Sequence, residues 1–224
     1  MLGTVARLAA VGTAGAAYLI GLRPRMLHWG ATETEAAEAL PGDELVPAPR
    51  FAATRAITVA APASGVWPWL VQLGQGRGGL YSYETLESLV GPEMRSTDDI
   101  VPELQDLAVG DAVPLVPIGA PGGIVMRVDR LEPPYVLVLQ REAGADGEAA
   151  GDYFQGQLKA SWALVIRELD PGSCRIVSRW RAGWAPSSVA DLFNGVLVEP
   201  LQFLIEEKLL RGVRDRAVRA VAAE

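Results

Sequence analysis

The stretch that most constrains this fold lies near the end of the chain. From Ser187 to Ala220 it reads SSVADLFNGVLVEPLQFLIEEKLLRGVRDRAVRA. Leu192, Val196, Leu201, the adjacent pair Leu204 and Ile205, Leu209 and Val213 recur at steps of three to five, mostly three and four, when that pair is counted as one position. That is the period of a long amphipathic helix with one apolar stripe. Charge falls between them, at Glu206, Glu207, Lys208, Arg211, Arg214, Asp215 and Arg216. A stripe of this length needs a wide apolar partner. An antiparallel sheet from the preceding strands would supply one, and the space between the layers is then the candidate site.

The strands come in quick succession. Thr54–Ala60 is β-branched and alternates, so it reads as the first. Leu107–Leu115, Ile124–Leu131, Tyr135–Glu142, Lys159–Leu169 and Cys174–Trp184 follow, separated by Gly/Pro turns, as in an antiparallel meander. Trp162, Leu164 and Ile166 share one face. So do Ile176, Ser178, Trp180, Ala182 and Trp184, while Arg175, Arg179 and Arg181 take the opposite face with Val177. The expected sheet has one wet, arginine-bearing face and one face covered by the final helix. The fold class is therefore α+β. A short helix from Ser64 to about Leu73 follows the first strand, with Val66, Trp67, Leu70 and Val71 facing in. A second is expected at Glu84–Leu89.

The first 26 residues stand apart. Fifteen uncharged residues separate Arg7 from Arg23, short of the roughly 20 needed to cross a bilayer as a helix. Including Leu2–Ala6 reaches that length but puts Arg7 inside, at about 2.5–3.5 kcal/mol on insertion scales. A membrane anchor, a signal peptide and a hydrophobic helix packed on the domain or on a partner all remain open. For an anchor, Arg23, Arg25 and Trp29 would sit at the interface, and the arginines would keep the domain cytoplasmic. Residues 27–53 read as an extended linker with a short helix at 33–39, begun by a Thr32/Glu35 capping box. The main domain is expected over 54–220.

Composition narrows the chemistry. The net charge of −7 argues against a general nucleic-acid binder. One cysteine, Cys174, leaves no internal disulfide or multi-cysteine metal site. One histidine, His28, in the leader-like stretch, is all that a His-dependent mechanism could use; a solvent or interface role suits it better. Gly74, Gly76, Gly78 and Gly79 follow a helix and lack a GK[ST] ending, so they read as a turned loop rather than a phosphate cradle. Asp98, Asp99, Glu103 and Asp106 do not have EF-hand spacing and read as a solvated loop. No metal or cofactor is expected.

Several segments resemble a known superfamily: HWGAT (28–32), LPGDELVP (40–47), the run from TRAITVAAP to VWPWLVQLGQGRGGLYSYETLE (54–87), IVPELQDLAVGD (100–111) and LVEPLQFLIEEKLLRG (197–212). Together with the element order, they resemble START-like helix-grip proteins, which include polyketide cyclase/dehydrase-like and lipid-transfer members, and in particular a bacterial subgroup of unassigned activity. The resemblance covers about residues 24–220. It implies a cavity between sheet and helix for a hydrophobic or amphipathic small molecule. It does not supply a catalytic set.

Three functions are open. The first is a carrier of a lipid- or polyketide-like molecule, with Tyr81, Tyr83, Glu84, Trp162, Trp180 and Phe203 as ligand contacts. The second is a cyclase- or hydratase-type enzyme using Glu84, Glu87 and the tyrosine hydroxyls. The third is a membrane-tethered interaction protein, held through residues 1–26.

Overall fold

The computed structural model describes residues 18–81, 96–116, 124–142 and 158–223. Six strands form one sheet: β1 (Phe51–Val59), β2 (Ala112–Val116), β3 (Ile124–Glu132), β4 (Val136–Arg141), β5 (Lys159–Asp170) and β6 (Ser173–Gly183). Their spatial order is β1-β6-β5-β4-β3-β2, with every neighbouring pair antiparallel. Strands β2 to β6 are the expected meander, and β1 closes the edge beside β6. A helix of 35 residues, Ser188–Ala222, runs from the end of β6. This is the helix-grip arrangement.

Period-two alternation sorts the side chains. Phe51, Ala53, Ile57 and Val59 of β1 join Trp162, Leu164 and Ile166 of β5 and Cys174 and Ile176 of β6 in one core. Helix α1 (Ala63–Val71) adds Val66, Trp69, Leu70 and Val71, and the second half of the C-terminal helix adds Leu209, Leu210, Val213 and Ala217. Gly212 is required at that contact: a Cβ there would lie 2.6 Å from the Tyr81 carbonyl oxygen. Helix α1 starts at Ala63 after Pro62, so Ser64 is not its cap. The expected helix at 84–89 lies outside the described residues.

The arginine face is not wet. Residues 28–47 pack over it, so this segment is a second cover rather than a linker. Arg179 is only 4% exposed. It donates to the carbonyls of Glu35, Ala36 and Glu38 at 2.6, 3.0 and 2.7 Å, to Asp43 at 2.8 Å and to Thr54 at 2.9 Å. Those carbonyls end the short helix Glu33–Ala37, where a cation satisfies orphan acceptors. The Thr32/Glu35 capping box opens that helix. Glu35 also pairs with Arg175, whose guanidinium donates to the Gly30 carbonyl at 2.6 Å. Gly30, at φ 70°, lies so close to β1 that a Cβ would stand 2.1 Å from the Ala56 carbonyl oxygen.

Arg175 holds the Glu35 carboxyl down at about 2, against 4.5 ordinarily; Thr32 adds to this and burial opposes it. A depressed carboxyl stabilises the fold above its unfolded value and loses that contribution as pH falls through its folded value. Acid titration of stability should therefore show a loss between about pH 4.5 and 2. Glu35→Gln should flatten that limb in chemical denaturation; an unchanged limb would contradict the assignment.

Candidate functional site

At the seam between the sheet and the C-terminal helix, an unusual set of side chains is buried together. Arg55 projects from the inner face of β1 and is 0% exposed. Its Nη1 donates to the Glu206 carboxylate and, at 2.6 Å, to Gln202 Oε1. Its Nε donates to the Met26 carbonyl at 2.8 Å. Ser178 of β6, directly across from Arg55, donates to Glu206 Oε1 at 2.6 Å and accepts from Trp162 Nε1 at 2.8 Å. Gln202 donates to the other carboxylate oxygen. Glu206 thus accepts from three residues. Burial pushes its carboxyl up from the ordinary range, and Arg55, Ser178 and Gln202 pull it back only in part.

An aromatic wall stands beside this cluster. Trp162 and Trp180 are direct cross-strand partners, stacked with centroids 4.9 Å apart and planes 17° from parallel. The Arg55 guanidinium lies 5.5 Å over the Phe203 ring. Trp162 is buried, while Trp180, Gln202 and Phe203 are half-buried, so the cluster reaches the surface on its aromatic side. Arg55 Nη2 is buried and has no hydrogen-bond partner among the described residues. A buried donor without an acceptor is costly and calls for an explanation.

Three of the six residues expected from sequence therefore meet here: Trp162, Trp180 and Phe203. Tyr81 lies elsewhere, 2% exposed, in the core against α1. Its hydroxyl donates to the Trp69 carbonyl at 3.2 Å and accepts from Gln72 at 2.8 Å. Arg216 sits 4.5 Å over its ring, and burial pushes its hydroxyl up to about 12. It is a packed core group rather than a pocket rim. Tyr83, Glu84 and Glu87 lie outside the described residues. The polar members of the seam, Arg55, Ser178, Gln202 and Glu206, were not singled out from sequence. One signal was present: Arg55 occupies an inward position in the alternation of β1.

Among the described residues, two open clefts lie away from this seam. One, of about 460 Å³, is on the opposite face, bordered by His28, Asp43, Thr54, Arg179 and Arg181. The other, of about 420 Å³, is at the ends of β4 and β5. Among the described residues, no group of three or more His, Cys, Asp or Glu is placed to hold a metal ion.

No known family profile and no curated protein matches the chain. Solved structures do. They include a conserved protein from Geobacillus kaustophilus (15% identity, 76% of this chain and 97% of that one, TM-score 0.44). A hypothetical protein from Helicobacter pylori overlaps at 13% identity, 81% and 96% coverage and TM-score 0.46. Zhui aromatase/cyclase from Streptomyces sp. R1128 overlaps at 20% identity, 76% and 95% coverage and TM-score 0.43. These overlaps are too loose to transfer an activity. The helix-grip assignment rests on this chain's own strand order and helix.

Removing one partner of a buried ion pair leaves the other charge uncompensated, at about 3–5 kcal/mol. Arg55→Met should lower stability by that order in thermal melts. Adding Glu206→Met should recover much of the loss. If the single and double variants melt alike, the two charges are not coupled.

Proposed function

We propose that the chain binds an amphipathic small molecule at this seam. Its apolar body would lie on Trp180 and Phe203, and a carbonyl or carboxylate oxygen would accept from Arg55 Nη2. The observation that carries this reading is the unpartnered Nη2 of a fully buried arginine beside a half-open aromatic wall. Ligand sites commonly combine an apolar lining with a few fixed polar groups of this kind. Because Arg55, Trp162, Ser178 and Glu206 are buried, entry requires the first half of the C-terminal helix to shift.

Titration of the full chain with long-chain amphiphiles, read by tryptophan fluorescence, tests it. Compounds headed by a carboxylate or ketone should bind, and headless hydrocarbons of equal length should bind much more weakly. Trp180→Ala and Phe203→Ala should each weaken binding by about tenfold, equivalent to 1.4 kcal/mol. No uptake, or equal uptake of headed and headless compounds, would contradict the reading.

One observation favours a second reading, acid–base catalysis on an apolar substrate at the same seam. Glu206 is a buried carboxyl raised above its usual range and bonded to a serine hydroxyl, the pattern expected of a general acid or base. An enzyme should lose turnover in Glu206→Gln while keeping its ligand. A wild-type chain that binds such compounds without converting any of them is a carrier.

A further inference from the structure

The first half of the C-terminal helix has its polarity reversed. Its inward residues are Ala190, Asn194, Glu199, Gln202 and Glu206, of which all but Gln202 are buried and four of the five are polar. Its outward residues are Leu192, Val196, Leu197, Leu201 and Leu204, each at least 42% exposed. Beyond Glu206 the usual order returns: Leu209, Leu210 and Val213 face in, and Arg211, Arg214 and Asp215 sit toward solvent. The reversal is therefore local. In water it would leave a large apolar strip exposed, which marks an interaction surface.

The N-terminal stretch joins the same surface. Tyr18–Leu22 forms one π-helical turn in which Leu19 and Ile20 are 59% and 80% exposed. Two bonds fix it to the reversed half. Arg23 makes a two-pronged pair with Glu199, at 2.7 and 3.0 Å. The Tyr18 hydroxyl donates to the Gly195 carbonyl. This second bond has a specific cause. Asn194–Val198 is π-helical, and the Glu199 amide bonds to the carbonyl five residues back, at Asn194. In that register the Gly195 carbonyl would be served by residue 200, which is Pro200 and has no N–H. Tyr18 replaces the missing donor. Glu199 is likewise neutralised by Arg23 and also accepts a hydrogen bond from Asn194 Nδ2 at 3.0 Å.

We infer that this surface, Leu19–Leu22 together with the outward side of Val189–Leu204, docks on a lipid bilayer. Three observations favour a bilayer over a second copy of the chain. The chain enters the surface at Tyr18 directly from residues 1–17, and the sequence from Leu8 to Leu22 carries no charge. Between Val189 and Leu204, Asn194, Glu199 and Gln202 are turned inward and bonded, and Asp191, exposed at the flank, is paired with Arg50, as a lipid environment demands. The helix is long and apolar enough to cross a membrane, but its inner side is bonded to the sheet, so it must lie along the interface instead. From Val189 to Leu204 it would present roughly 23 Å of length at 1.5 Å per residue. The inference does not depend on the ligand reading.

The test uses the full chain carrying a single surface label. Leu201→Cys, Leu197→Cys and Asp215→Cys would each be tagged with an environment-sensitive nitrobenzoxadiazole dye; the native Cys174 is buried. The chains would be reconstituted into phosphatidylcholine/phosphatidylglycerol vesicles containing doxyl-labelled lipid. Labels at 201 and 197 should lose most of their fluorescence to the doxyl groups, and the label at 215 should lose little. Labels at 201 and 197 that stay bright in vesicle-bound protein would overturn the inference, because only residues before Tyr18 would then hold the membrane. Labels shielded without lipid, with a doubled solution mass, would overturn it in favour of self-association.

Discussion

The contact on which the rest of this molecule depends is the buried pair of Arg55 and Glu206. One guanidinium ties three parts of the chain together: the edge strand β1, the short helix Arg23–Leu27 at Met26 and the C-terminal helix. Through Ser178 the same carboxylate reaches β6 and Trp162. Buried charges are weak evidence for stability in themselves, since apolar replacements are often as stable. Here the pair fixes which side of the helix faces the sheet.

That orientation explains the reversed polarity. With Glu206, Gln202 and Glu199 turned inward to meet Arg55 and Arg23, the leucines between them must turn outward. The sheet therefore has two unlike covers. On one face, Arg175, Arg179 and Arg181 are taken up by carbonyls and carboxylates of residues 28–47. On the other, the helix covers an apolar core in its second half and a polar seam in its first. A ligand at the seam and a bilayer outside it would act on opposite sides of the same turns of helix.

Much of the architecture was legible in the sequence, for physical reasons that can be named. Alternation in β5 and β6 assigned Trp162, Trp180 and the arginines to their correct faces, because period two leaves no freedom once one face is buried. The helix length was also legible, but its phase in the first half was not. Leu192, Val196, Leu201 and Leu204 were assigned to the buried stripe on the premise that apolar groups avoid solvent. In the structure they lie outward. The cover over the arginine face was hidden for a different reason. Most of its bonds come from backbone carbonyls, which leave no periodic mark in residues 28–47. Within the seam, Arg55 was visible as a charge in an inward position, but nothing local linked it to Glu206, 151 residues away.

The most direct test of the central claim is native mass spectrometry of the full 23.8 kDa chain, extracted in mild detergent and then denatured. Ligand binding at the seam predicts a discrete added mass that leaves on denaturation as an amphipathic compound bearing a carbonyl or carboxylate. A chain that appears only at its bare mass, and stays there after incubation with such compounds, would contradict it.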